Sequence, residues 1–440
     1  VIEYRNLRVA ILGGGSVGSQ VAALLLEHAD ELAARAGAGL TLVGVAVRNP
    51  DAPRDTQIPR ELITTDAESL IVGADIVVEL IGGIEPARSY ILQALNSGAD
   101  VVTANKAVLA NHGPELFAAA EQVGAQLYYE AAVGGAIPII RPLRDSLAGD
   151  RVKRILGIVN GTTNFILDRM DTHGASLADA LAEATRLGYA EADPTADVEG
   201  FDAAQKAAIL ASLAFHTTVP LASVYREGIT GITTEAVLAA RKSGYVLKLL
   251  AICERFTDAE TGVEGVAARV HPALVPVNHP LAAVHGANNA VFVEAEAAGD
   301  LMFYGAGAGG IQTASAVLGD LVSAARRHVA GGPGVAESTS SNLPVLPMSS
   351  VTTRYQITLS VIDKPGVLAT IAQLLSDHGV SVEAVSQSVR DSAPTAQPTA
   401  TLVIVTHQAG ESSLASTVTA LAESSVVSSV VSVLRVEGLQ

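Results

Sequence analysis

Tryptophan is absent from the 440 residues, and cysteine occurs once, as Cys253. A single thiol excludes an internal disulfide framework and fits a reducing compartment. It lies in VLKLLAICERF, an apolar segment where a buried, inert thiol is expected. Basic residues are scarce: 28 Lys and Arg stand against 45 Asp and Glu, for a net charge of −17. No Lys/Arg block and no aromatic–basic interleaving is present, which argues against nucleic acid as a partner. Long apolar runs are missing too. The best candidates are interrupted, as at His216 and Pro220, or are rich in serine, so no membrane span is expected. The first residues lack a basic region followed by an apolar core, so no signal peptide is expected. These absences lead to the expectation of a soluble cytoplasmic protein.

What is present points to an α/β protein of two or three domains. The run Leu7 to Leu12 reads as a buried strand. It is followed by Gly13-Gly14-Gly15-Ser16-Val17-Gly18 and then by the apolar helix QVAALLLEHADEL. Strand, GxGxxG turn and helix in that order form the context a dinucleotide fingerprint requires. Glycines let the backbone approach a pyrophosphate, and the helix N-terminus offers unpaired N–H groups to it. Gly13, Gly15, Ser16, Val17 and Gly18 are therefore the candidate cofactor contacts. The second strand, LTLVGVAV, ends on Arg48 rather than on Asp or Glu. An arginine there suits the 2′-phosphate of NADP, with NAD use left open. An ordinary exposed loop arginine would look the same. The strand VVTA delivers Asn105 and Lys106 at its carboxyl end, where open α/β sheets bind ligands.

Two further stretches carry candidate chemistry. AQLYYEAAVGGAIPII reads as a strand leading to a glycine pair before Ile-Pro. Backbone carbonyls turned inward there, with the Glu130 carboxylate, suit a hard monovalent cation better than a transition metal. A plain tight turn would have the same composition. GYAEADPTADVEGFDAAQK, from Gly188 to Lys206, gathers Glu191, Asp193, Asp197, Glu199 and Asp202 and ends on Lys206. Pro194 and Gly200 keep its middle from being plain helix, and from Phe201 the pattern turns helical. Asp202 and Lys206 then share a helical face. Such a stretch could be a solvated acidic loop with one surface ion pair, or a pocket for a substrate ammonium with a lysine placed to move a proton. His271 and His279 stand beside prolines without ligand partners at a useful spacing and read as structural.

From Gly331 to about Ser350 the chain is rich in Gly, Pro and Ser and reads as a linker. Beyond it the order is βαββαβ, a ferredoxin-like sandwich. The expected division is a Rossmann-type dinucleotide-binding domain over 1–150, an α+β substrate and dimerisation domain over 151–330, a linker over 331–351 and the ferredoxin-like module over 352–440. The expected helix after 305 returns to the first domain. Truncation near Ser340 is expected to leave a folded, active enzyme, because two complete patterns flank the linker.

The acid-rich stretch resembles the substrate segment of homoserine dehydrogenases, GYxExDPxxDxxGxDxxxK, with every fixed position present. The resemblance extends over nearly the whole chain, through ANK at Ala104 to Lys106, GGIEP from Gly82, NGTTN from Asn160 and GAGAG from Gly305. DKPGVLATIA after the first strand of the C-terminal module looks like an ACT domain, the amino-acid-binding regulatory module of the long bacterial type. The resemblance implies reduction of L-aspartate 4-semialdehyde to L-homoserine, and the reverse, in threonine, methionine and isoleucine biosynthesis. It implies that Glu191, Asp197 and Asp202 hold the substrate and that Lys206 donates and accepts the proton. Lys106 would touch cofactor and substrate. Gly83, Gly188, Glu191 and Gly309 would lie at the cofactor. It also implies sodium held by Glu130 and the backbone oxygens of Val133, Gly135 and Ile137. L-Threonine as effector and a homodimer or homotetramer complete the expectation. A semialdehyde-forming dehydrogenase, the rival with the same metabolite, needs a thiol nucleophile, and Cys253 has no positioned His motif. A catalytically silent amino-acid sensor is the rival from another class, and the intact lysines and glycines argue against it.

Overall fold

The computed structural model describes residues 5–332, 337, 340–389 and 399–438. They form two compact units that do not follow sequence order. The first comprises Val1–Gly161, Asp202–Val224 and Ala287–Leu343; the second comprises Thr162–Phe201, Tyr225–Gly286 and Pro344–Gln440. The range 151–330 is thus shared between the two.

The first unit holds a parallel six-stranded sheet. Its strands lie in the order Ile63–Thr64, Gly39–Ala46, Asn6–Leu12, Ile76–Glu79, Asp100–Thr103, Leu127–Tyr128. Helices cover both faces, so the strands can be apolar throughout. Val9, Ile11, Val77 and Val101 are all fully buried. The order reverses between Asn6–Leu12 and Ile76–Glu79, which opens a crevice at the carboxyl ends of these strands. Helix Gly310–Ala330 belongs to this unit. Its Val317, Leu321 and Ala324 share one core with Val21 and Leu25 of helix Ser16–Glu27. An antiparallel trio, Val152–Ile158, Asn288–Ala295 and Gly299–Ala306, completes the unit's strands.

Two local expectations change. The apolar helix after the fingerprint breaks at His28 into Ser16–Glu27 and Ala29–Ala36. The strand expected over AQLYYEAAVGGAIPII is only Leu127–Tyr128, followed by a short 3-10 turn at Glu130–Ala132. The buried Glu130 carboxylate is the reason. Its two oxygens accept from the backbone of Ile139, Ile140 and Arg141, so the chain must wrap around them instead of running straight.

In the second unit Tyr245–Thr257 and Glu264–Pro276 form a long antiparallel hairpin. The C-terminal module has the expected βαββαβ order: Thr352–Ile362, Val367–Asp377, Val382–Val389, Thr399–Thr406, Glu411–Glu423 and Val427–Val436. It is bonded to the hairpin of the same unit. Val427–Val436 pairs with Glu264–Pro276, Ala273 opposite Arg435 and Leu274 opposite Val436. Leu346 N donates to Val266 O at 2.8 Å, and Arg269 pairs with Glu437 at 3.1 Å. Glycine and proline made the connection look like a free linker, but register and charge tie it down. Residues 333–336 and 338–339 of that segment, and residues 390–398, lie outside the described residues. No helix among the described residues is long and apolar enough to cross a membrane.

Candidate active site

The fingerprint turn lines a cavity of ≈ 610 Å³ in the first unit, together with Arg48, Asn49, Arg54, Gly82 and Glu85. Gly15 caps helix Ser16–Glu27, whose first N–H groups therefore face the turn. Glycine is required at Gly18, because a Cβ there would lie 1.9 Å from the Gly13 carbonyl oxygen. The GAGAG loop reaches the same turn. A Cβ on Gly310 would lie 2.6 Å from Ser16 Oγ, and Gly309 caps helix Gly310–Ala330. No carboxylate follows strand Gly39–Ala46; Val47 and Arg48 stand there. Arg54, which the motif reading missed, holds the loop by donating to the carbonyls of Asn49, Pro50 and Ala52. Its buried Nε has no hydrogen-bond partner among the described residues. The cavity thus combines a helix N-terminus, two guanidinium groups and an unused donor, a set that fits an anionic dinucleotide.

Lys106 begins helix Lys106–Val123, and Asn105 caps it by accepting from Val108 N at 3.2 Å. Asn105 also donates to Gly83 O at 2.7 Å, so the GGIEP loop and the lysine helix are tied together. Asp202 and Lys206 lie one turn apart on helix Phe201–Ala214, and both are buried. Lys206 Nζ donates to Asp202 Oδ2 at 2.8 Å and to Val159 O at 2.6 Å. Lys106 Nζ pairs with the other oxygen, Asp202 Oδ1. Asn160 Nδ2 adds a bond to Oδ2 at 2.9 Å. Burial pushes the Asp202 carboxyl upward, but the Lys206 and Lys106 ammonium groups outweigh it and hold it well below the usual carboxylate range. One carboxylate therefore clamps two lysines. The Lys206 side chain is 10% exposed, whereas that of Lys106 is 40% exposed and open to a ligand from the solvent side. Asn105→Ala removes the cap under Lys106. It is expected to cost about 1 kcal/mol in urea unfolding and to raise KM for the substrate.

The candidate cation loop, Glu130 to Ile137, is buried in the first unit. The Glu130 carboxylate takes Ile139 N, Ile140 N, Arg141 N and Arg141 Nε, at 2.6 to 3.0 Å. Four donors fill its lone pairs, so the carboxylate is not open to a cation. The oxygens left to consider are backbone carbonyls, those of Val133, Gly135 and Ile137 among them. Asp320, on helix Gly310–Ala330, accepts from Glu130 N at 2.8 Å and locks the loop to that helix.

Gly188, Glu191 and Asp197 belong to the second unit. Gly188 and Glu191 are exposed, and Asp197 is half-buried in the turn Thr195–Val198. Thr162, from NGTTN, donates to Tyr189 O at 2.6 Å and fixes the start of this segment. Behind that motif Lys248, fully buried, donates to Asn164 Oδ1 at 3.0 Å and Val284 O at 2.6 Å. Burial pushes its ammonium down to about 8. Sequence reading passed over Lys248, and over Glu79, whose carboxylate accepts from Ile81 N and Thr103 Oγ1. Both left a signal, a charge inside an apolar strand. Cys253 and His271 are fully buried.

A parallel sheet with a fingerprint crevice, and lysines clamped in the same unit, define a nicotinamide-dependent oxidoreductase. Residues 13–130 match the family described as "Homoserine dehydrogenase, NAD binding domain", residues 138–322 "Homoserine dehydrogenase", and residues 355–424 "ACT domain". The chain belongs to the homoserine dehydrogenase family. It is 55% identical to the homoserine dehydrogenase of Corynebacterium glutamicum over 98% of this chain and 95% of that one. The solved homoserine dehydrogenase of Thiobacillus denitrificans superposes with a TM-score of 0.90 at 39% identity, covering 99% of each chain. A hyperthermophilic archaeal homoserine dehydrogenase, solved in complex with NADPH, gives a TM-score of 0.61 at 27% identity over 74% of this chain and 99% of that one.

Proposed function

We propose that the chain interconverts L-homoserine and L-aspartate 4-semialdehyde, with NADP as its preferred cofactor. The observation that carries this reading is the Lys106–Asp202–Lys206 cluster in the unit that also holds the nucleotide cavity. The cofactor supplies and accepts the hydride. As the aldehyde oxygen gains negative charge, Lys206 gives it a proton and Lys106 stabilises it from the more exposed side. Asp202 keeps both ammonium groups in place. Glu191, Asp197 and Asp202 are each proposed to contact the substrate. A sodium ion would be held by the backbone oxygens of Val133, Gly135 and Ile137 and would stiffen the loop against helix Gly310–Ala330. Following the absorbance of reduced cofactor with homoserine as substrate tests the activity. Absence of turnover with either NADP or NAD would refute it.

Arg48 and Arg54 support the NADP preference. Arg48→Ala is expected to raise KM for NADP roughly ten- to a hundredfold, the worth of one charge-assisted hydrogen bond, with NAD nearly unchanged. Steady-state kinetics with both cofactors checks this, and equal losses would assign Arg48 to the loop alone. Regulation by L-threonine is proposed through the ACT module. A cleft there is lined by Asp363, Lys364, Gly366, Leu368 and Gln387 and opens on the start of helix Val367–Asp377.

A further inference from the structure

The end of the acid-rich segment is held from one side by a short strip, Tyr225 to Ile229. Ile229 N donates to Val198 O at 2.7 Å. Gly228 passes so close that a Cβ there would lie 2.3 Å from Val198 O. Arg226 donates to the Glu199 carbonyl, and its guanidinium carbon lies 3.6 Å from the centroid of the Phe201 ring. Residues 198–201 are therefore bonded to and packed against the strip. In sequence they run directly into Asp202.

The other side of the strip faces the ACT module. Glu227 N donates to Val270 O at 2.7 Å, and the Glu227 carboxylate receives Arg435 Nη1 at 2.9 Å. Arg435 lies on the module's last strand and is buried. Its Nε donates to Glu411 Oε1 at 3.0 Å, at the first residue of helix Glu411–Glu423. Tyr355 OH donates to the same oxygen at 2.7 Å. Tyr355 stands on strand Thr352–Ile362, whose far end, Val361 and Ile362, forms the rim of the effector cleft. Arg435 is thus shared between one carboxylate inside the module and one outside it. A shift of Glu411 relative to the cleft strand changes how Arg435 holds Glu227.

We propose that the Glu411–Arg435–Glu227 cluster couples the ACT module to the substrate segment, and that Arg226 is the positioning residue that delivers the coupling to Glu199 and Phe201. The proposal rests on the reading that this segment holds homoserine and that the module is regulatory. Coupling between two sites requires differential contacts in two states. A guanidinium divided between two carboxylates supplies such contacts.

The test is a double-mutant cycle in the full-length protein, with Glu227→Gln outside the module and Tyr355→Phe inside it. Neither residue belongs to the lysine cluster or lines the nucleotide cavity. E227Q is expected to raise KM for homoserine about fivefold or more, the lower end of usual coupling. The values of kcat and of KM for NADP should stay within about twofold on the same grounds. Y355F should change KM for homoserine in the wild-type background and not in E227Q. E227D, which keeps the charge, should restore the coupling. Hydrogen exchange of peptides spanning 195–201 is followed in parallel and should quicken in E227Q. Strictly additive effects of two variants that each change KM for homoserine, or unchanged exchange in that segment, overturn the proposal. Quickened exchange with an unchanged homoserine KM upholds the link and removes homoserine from the segment instead.

Discussion

Replacing Lys206 by alanine is expected to lower kcat and kcat/KM together by ~10² or more, since a proton donor acts mainly in the transition state. Lys206 is the fixed member of the pair, bonded to both Asp202 and the Val159 carbonyl. Lys106 is the more exposed member and is bonded to the other oxygen of Asp202. The fold should survive, because Asp202 keeps Lys106 and Asn160 as partners. Steady-state kinetics with homoserine and NADP, alongside thermal unfolding, checks both parts. A folded variant with near-normal kcat would move the proton donor elsewhere, Lys106 being the next group to replace.

A chain ending at Leu343 is expected to lose the second unit's fold, contrary to what the Gly/Pro/Ser segment alone suggests. Truncation strips strand Glu264–Pro276 of its neighbour Val427–Val436 and exposes an apolar edge. It also takes Glu437 from Arg269, whose side chain is 1% exposed. Glu254, at 2.8 Å, is left as its carboxylate partner. Removing one partner from a buried ion pair costs about 3–5 kcal/mol, against a total stability of roughly 5–15 kcal/mol for a domain. Denaturant unfolding of the truncated chain, with full-length Glu437→Gln as the milder comparison, measures the loss. A truncated protein as stable as the full chain would show that the hairpin holds Arg269 unaided.

The proposed coupling and this expectation share one cause. The ACT module is joined to strand Glu264–Pro276 by backbone pairing and to the strip at Glu227 by charge. Removing the module therefore removes structure as well as regulation. Point variants such as E227Q separate the two, which deletion cannot do.

The sequence by itself determined the elements whose chemistry is local. Gly13 to Gly18 read as a tight turn opening a helix, and at Gly13 and Gly18 backbone contacts do leave no room for a Cβ. Asp202 and Lys206 had to meet, because they lie one helical turn apart. The βαββαβ order of the last domain followed from hydrophobic period and turn residues. Tertiary structure decided what depends on distant segments. Lys106 meets Asp202 across 96 positions, 106 to 202, only because the carboxyl end of strand Asp100–Thr103 and the helix from Asp202 onward belong to one unit. The strand expected beyond Tyr128 gave way because Glu130 was buried and had to gather four N–H donors. A carboxylate's need for donors in a dry interior outweighs the strand propensity of its neighbours. The linker likewise read as free because composition reports local flexibility. What anchors the linker, the backbone bonds of Pro344 and Leu346 to Val266, and what anchors the module beyond it, the pairing of Val436 with Leu274 and of Glu437 with Arg269, join segments distant in sequence and are visible only once the chain has folded.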